Sequence, residues 1–333
     1  MIYAGNGTFK LEKGVSVVSF AATVGKKEGE GPLGKYFDAV VEDEYHGKKS
    51  WEKAESAFLK HSVDNALLRG GLNERDIDFA ISGDLLNQCT SAGYAFRDID
   101  APFLGIFGAC STMAEGLAIG TTLVGSGADY VLCATSSHFC GAEKQFRMPL
   151  EYGSQRCPTA QWTVTGSGAV VLGKYAAPPY IESITVGRIV DMGVKDACNM
   201  GAAMAPAFTD TLLRHLSATG RQADYYDLIL SGDLGIIGKK IATELLHRQN
   251  VDIAPIYNDC GAMIFDPEKQ DTHAGGSGCG CAASVLCSYV LPKMMCGRLK
   301  RVLFCATGAL MSPTVSMQGE SIPSVSHAIS FEA

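Results

Sequence analysis

The sequence lacks a basic excess: 28 Lys and Arg stand against 35 Asp and Glu, a formal net charge of −7. A nucleic-acid partner, which wants a basic face, is therefore not expected. It lacks an apolar run of membrane-spanning length. Its first residues show no basic stretch leading into an apolar core, so no export signal is expected. Twelve cysteines contain no zinc-type pairs. Cys279-Gly280-Cys281 is a C-x-C, and no histidine follows at ligand spacing. Reduced thiols in a cytosolic chain are the expectation; peripheral contact with a membrane stays open. The glycine-rich Thr165–Val170 stretch lacks the helix and spacing of a phosphate loop. No cofactor and no metal are expected.

What is present is an internal repeat. Asp78-Phe79-Ala80-Ile81-Ser82-Gly83-Asp84-Leu85 is echoed by Asp227-Leu228-Ile229-Leu230-Ser231-Gly232-Asp233-Leu234. Further on, Val131-Leu132-Cys133-Ala134-Thr135 is echoed by Val302-Leu303-Phe304-Cys305-Ala306-Thr307. An amphipathic pattern precedes each motif. The first runs from Trp51 to Leu67, with Ser50 as N-cap and Gly70-Gly71 as stop; the second runs from Ala207 to Leu216 and ends near Gly220. Short strands buried on both faces, alternating with helices, predict parallel sheet. Two duplicated halves, 1–175 and 176–333, predict an α/β architecture with helices between and outside two sheets.

The chemistry centres on Phe107-Gly108-Ala109-Cys110-Ser111-Thr112-Met113, which predicts a sharp strand-to-helix turn. A thiol there sits among unpaired helix N–H groups, which favour a thiolate and welcome an incoming carboxylate or carbonyl oxygen. The other reading is a small cysteine packed as a hydrophobe. His138, after the first-half Ala134-Thr135-Ser136-Ser137 strand, is either a site residue or a structural hydrogen-bonding histidine. Arg147, in the polar connection 138–162, is either an anion contact or a surface ion pair. Asp84, Asn87 and Gln88 read as a dimer contact, and Met192, Met200, Met204, Met294 and Met295 as core filler.

Nine stretches together resemble a known family: Gly31–Gly34, Gly83–Gln88, Phe107–Thr112, Ala134–His138, Gln145–Arg147, Thr165–Leu172, Asn258–Gly261, Ala274–Cys279 and Ala306–Leu310. They are similar to the thiolase superfamily, in its ketoacyl synthase III branch, and most closely to the stage V sporulation protein AD family of endospore-forming bacteria. The resemblance implies a five-layer α-β-α-β-α sandwich and a homodimer. It also implies a protein that binds dipicolinic acid, with or without Ca2+, and supports its uptake into the developing spore. Such a protein would lie peripherally at the inner membrane with other stage V sporulation membrane proteins.

Condensing enzymes of the superfamily need a cysteine, a histidine and an asparagine. The cysteine position matches Cys110. The histidine position falls after a strand expected at Asp252–Ile256, where this chain has Asn258, Asp259 and Cys260; the asparagine position has Cys279. Without the imidazole, the thiol has no base and the decarboxylation hole loses a donor, a loss of about 3–4 kcal/mol in transition-state stabilisation. The expected site is thus a binder: Cys110 and Gly308 offering backbone N–H groups to one carboxylate, Asn258 to Cys260 meeting the other end, with Cys279, His138 and Arg147 nearby. A substitution such as Gly308→Trp would then block the pocket and leave the fold intact. Asp259 would have to point away, be protonated, or act through water or Ca2+, because a second anion beside a dianion is repulsive. Two alternatives stay open: an active acyltransferase using Cys110, and a structural component with a vestigial pocket.

Overall fold

The computed structural model describes residues 1–146, 156–174 and 176–333. In chain order the strands are β1 (Ile2–Gly5), β2 (Thr8–Gly25), β3 (Ala39–Val41), β4 (Phe79–Gly83), β5 (Phe103–Gly105), β6 (Tyr130–Ser137) and β7 (Trp162–Thr163). They continue with β8 (Gly166–Gly173), β9 (Tyr180–Thr185), β10 (Leu228–Ser231), β11 (Tyr257–Asp259), β12 (Gly276–Ser277), β13 (Arg301–Ala309) and β14 (Ser324–Glu332).

Two sheets of matching design share one long strand. The order is β11-β10-β13-β14-β9-β2-β8-β6-β4-β5. Strand β2 pairs with β9 through Thr8–Ser16 and with β8 through Ser16–Val24, so it serves both sheets. In each sheet the outer three strands are parallel and the inner pairings antiparallel. The expected parallel sheet holds for the outer three strands of each half and not for the inner pairings, where β8 and β14 run against their neighbours. Apolar strands buried on both faces read the same in either direction, so burial pattern cannot set polarity. The duplication extends to side chains. Asp78 Oδ2 accepts the N–H groups of Asp129 and Tyr130, and Asp227 Oδ2 those of Lys300 and Arg301, each pinning the strand next door.

Strand alternation builds the layers. Val131 and Cys133 face the central core, whereas Leu132 and Ala134 pack under the Trp51–Gly70 helix. Likewise Val302, Phe304 and Ala306 face the centre, and Leu303 and Cys305 pack with the Met200–Thr219 and Gly235–His247 helices. The centre itself holds the Thr112–Gly125 helix and the helix starting at Cys279, every residue of which is buried through Val285. This is the five-layer sandwich. A π turn at Leu286–Val290 precedes Pro292, which cannot donate to the helical ladder.

Helix ends follow local rules. Ser50 Oγ accepts the Lys53 N–H, and Gly71 (φ 64°) closes the Trp51–Gly70 helix in the left-handed conformation. The second-half helix begins at Met200, seven residues before the apolar pattern suggests, because Asn199 caps it and Pro206 costs only one ladder bond. The strand expected at 252–256 lies at Tyr257–Asp259 instead; Pro255 sits in a 3-10 turn (Ala254–Ile256) because it has no N–H for a sheet. Among the described residues no helix is long and apolar enough to cross a membrane.

Candidate functional site

Cys110 sits in a 3-10 turn, Ala109–Ser111, that feeds the Thr112–Gly125 helix. Ala109 is left-handed (φ 49°), a conformation that costs a non-glycine residue about 1 kcal/mol or more and needs outside support. The support is explicit. Ser111 N–H and Oγ both donate to the Gly108 carbonyl (3.0 and 2.7 Å), and Thr112 Oγ1 donates to the Ala109 carbonyl (2.6 Å). Across the central layer, the Cys279 thiol donates to the same Ala109 carbonyl (2.9 Å).

A cavity of about 240 Å³ adjoins this turn, with Cys110 on its wall. Phe107, Phe146, Met200, Met204 and Met311 supply apolar surface; Arg156, Gln161, Thr163 and Ser277 supply polar groups. The volume is at the small end for ligand pockets, which suits a compact molecule rather than a long chain. Arg156 is its cation. The guanidinium lies 4.7 Å over the Trp162 ring, which stacks on Phe139 at 3.7 Å. Nη2 donates to the Asp271 carboxylate (2.9 Å) and to its main-chain carbonyl. Nη1 is buried and has no partner among the described residues. Lys27 approaches the same Trp162 ring at 4.0 Å, and burial with Arg156 nearby lowers its pKa.

The electrostatics overturn the expected thiolate. Burial, and after it Asp233 whenever that carboxyl is ionised, push the Cys110 thiol well above its ordinary range, while the Gly278 N–H and its own N–H oppose this. Desolvation outweighs the helix terminus, so Cys110 is a thiol at neutral pH.

The expected site residues separate. Cys110 and Cys279 are in contact, and Cys279 is fully buried. Gly308 does not line the cavity; it packs on the turn from behind, and a Cβ there would stand 2.0 Å from the Gly108 carbonyl oxygen. Asn258 Oδ1 accepts the Lys239 ammonium (2.8 Å) and the Asp259 N–H (2.9 Å), away from the cavity. Asp259 is a buried structural cap. Its Oδ2 accepts Ser231 Oγ (2.6 Å) and Leu234 N–H (2.9 Å), and its Oδ1 accepts Gly235 N–H (2.8 Å) and Ala262 N–H (3.0 Å). Burial raises its pKa to about 6 against those four donors. Cys260 is buried beside it, held as a thiol first by burial and then by the Asp259 charge. His138 Nε2 donates to the Glu44 carbonyl (2.9 Å), with its ring packed near Trp51 and Phe58; it is buried and structural, not a cavity group. Arg147 lies outside the described residues.

The other histidines are also placed. His46 packs against Phe58 and His61 against His46, His215 bonds Thr185 and Tyr226, and His327 accepts from Gly187 N–H. His247 is exposed at a helix end, and His273 bonds the Cys157 carbonyl. No hydrogen bond from any of the seven reaches Cys110 among the described residues. Sequence reading missed Gln161 and the cavity role of Met200 and Met204. Arg156 stood in the right connection, but only its stacking on Trp162 distinguishes it.

With this geometry in view, the comparisons decide the family. The family model described as Stage V sporulation protein AD (SpoVAD) matches residues 5–332. The Stage V sporulation protein AD of Bacillus subtilis (strain 168) is 44% identical over 333 residues, covering 100% of this chain and 98% of the relative. The chain belongs to the stage V sporulation protein AD family. Solved structures of the same fold include the 3-oxoacyl-[acyl-carrier-protein] synthase III of Aquifex aeolicus VF5 (TM-score 0.58, 13% identity, 96% of this chain and 100% of that one). A second is a point variant of Xanthomonas campestris OleA (TM-score 0.62, 13% identity, 98% and 100%). At that identity they establish the thiolase-like scaffold alone.

Proposed function

We propose that this sporulation protein binds dipicolinic acid in the Cys110 cavity and supports its uptake into the developing spore. In this reading it works peripherally at the inner membrane, as a homodimer, with other stage V membrane proteins. The observation that carries the proposal is Arg156: a largely buried guanidinium whose Nη1 has no partner among the described residues, on the wall of a small cavity that also presents Phe107, Phe146, three methionines, the amide of Gln161 and the carboxyl of Glu143. A flat dicarboxylate matches that combination, one carboxylate meeting the guanidinium and the ring lying against Phe107, Phe146 and the methionines. Among the described residues lining the cavity, the cation is Arg156. The dimer reading is supported by β5, an edge strand whose Phe103 and Leu104 are about 40% exposed and whose outer N–H and C=O groups are open to a second copy.

Acyl transfer is poorly served by this site. Cys110 is protonated, no imidazole bonds it among the described residues, and the side-chain charge that acts on it is that of another acid, Asp233. Calorimetric titration with dipicolinate is expected to give saturable binding at one site per chain. Incubation with acetyl- or malonyl-coenzyme A is expected to leave the intact mass unchanged. No heat at millimolar dipicolinate would overturn the binding proposal, and an adduct lost in Cys110→Ser would restore the enzyme.

A further inference from the structure

Asp233 follows β10, is fully buried, and neither carboxylate oxygen has a hydrogen-bond partner among the described residues. A buried polar group left so demands an explanation. The repeat sharpens the question. Asp84, its counterpart in the first-half motif, has both oxygens occupied, by Leu86 N–H and Ala92 N–H at 2.7 Å each. In the second half the N–H groups of the equivalent turn, Leu234 and Gly235, go to Asp259. Asp233 is thereby released from capping and left without structural work.

Its surroundings point to the cavity. The Gly278 N–H and the Cys281 thiol face the carboxyl without closing a bond of normal geometry. The same Gly278 N–H faces Cys110, so thiol and acid share one donor behind the wall. Gly278 (φ 106°) has no room for a side chain, since a Cβ would meet Ser137 Oγ at 2.7 Å, and its neighbour Ser277 lines the cavity. Gln161, also on the wall, donates Nε2 to the Asp233 main-chain carbonyl (2.8 Å). The ionisable groups acting on Asp233 or acted on by it are Cys110 from the turn, Asp259 from β11, Cys260 from the helix after it, and Cys279 and Cys281 from the buried helix. All are acids. Burial first, and then the Asp259 charge, hold the Asp233 carboxyl well above the ordinary carboxylate range.

We propose that Asp233 is a neutral acid behind the Cys110 wall whose proton couples anion binding in the cavity to pH. The inference rests on the anion-binding reading given above. An ionised Asp233 repels an anion in the adjoining cavity, and a neutral one does not. A bound anion therefore favours the protonated acid. Where Asp233 is partly ionised in the empty protein, binding takes up a proton from solution, and affinity falls by up to about tenfold per pH unit above its titration. Asp233 acts through the wall and is a positioning residue.

The test is calorimetry with dipicolinate from about pH 6 to about pH 9, in two buffers of different ionisation heat. Wild type is expected to take up a fraction of a proton per ligand and to lose affinity as pH rises; Asp233→Asn is expected to bind with neither dependence. Identical proton uptake and pH slope in the two proteins would overturn the coupling, as would a wild type whose affinity is independent of pH. A second readout needs no ligand. The infrared difference spectrum between wild type and Asp233→Asn at neutral pH is expected to show the carbonyl stretch of a protonated carboxylic acid. A carboxylate band in its place would overturn the proposal even where dipicolinate binds. The acid band together with no dipicolinate binding would retain the neutral acid, sink the ligand reading, and with it the coupling to that anion.

Discussion

Arg156→Met is expected to weaken dipicolinate binding by at least about thirtyfold while leaving the sandwich folded. Within the cavity the guanidinium has Trp162 under its plane and Asp271 on Nη2, so its orientation is set before a ligand arrives. Preorganisation of this kind lowers the entropy cost of binding. Among the described residues Nη1 is the donor left over. Removing a desolvated charged partner costs a bound anion about 2–5 kcal/mol, and about 1.4 kcal/mol is a factor of ten. Arg156→Lys keeps the charge but not the planar fork, and is expected to fall between wild type and methionine. Calorimetry on the three proteins checks this, with far-ultraviolet circular dichroism as the fold control. Equal affinities for wild type and Arg156→Met would remove Arg156 from the site.

Gly308→Ala is expected to destabilise the whole chain by about 3 kcal/mol or more. The added methyl would stand 2.0 Å from the Gly108 carbonyl oxygen and 3.0 Å from the Ser111 N–H. Both atoms are backbone of the turn that carries Cys110, so no side chain can swing away to relieve the clash. Strand β13 would have to separate from that turn, undoing the contact between the two halves. Gly93, inside the Thr90–Phe96 helix, is the contrast: nothing lies within 4 Å of its Cβ position, and alanine there is expected to be neutral or to stabilise by up to about 1 kcal/mol. Thermal unfolding of the two variants gives opposite signs if Gly308 serves packing. A Gly308→Ala protein that melts like wild type would show that the turn and β13 are not held as described.

The duplication was legible because each half repeats the same polar punctuation inside apolar strands: Ser-Gly-Asp-Leu after the first strand, Ala-Thr after the next. The Ser-Gly-Asp-Leu motifs hold equivalent places in the two sheets, while the Ala-Thr pairs differ by one residue in register: Ser82 lies opposite Ala134, but Ser231 lies opposite Cys305 rather than Ala306. Strand polarity was not legible, since the buried sequences of β8 and β14 carry no direction. The turn at Cys110 could be read from its small residues, but the protonation of its thiol could not. The helix terminus is a local feature, whereas burial under the second half of the chain is not. Asp259 shows the same limit. Beside Asn258 and Cys260 it reads as a ligand-facing acid, yet its donors Ser231, Leu234 and Gly235 come from a strand and turn more than twenty residues earlier. His138 follows a strand that does lead toward the cavity, but its ring turns under the Glu44 loop instead. Arg156 was one of several charges in a long polar connection, and only the placement of Trp162 singles it out.

The most direct measurement is a crystal structure of the protein soaked with dipicolinate. The account predicts one ligand in the Cys110 cavity, a carboxylate within hydrogen-bonding distance of Arg156 Nη1, the ring against Phe107 or Phe146, and Cys110 unmodified. A ligand bound elsewhere with this cavity empty, or one that leaves Arg156 Nη1 unpaired, would contradict it.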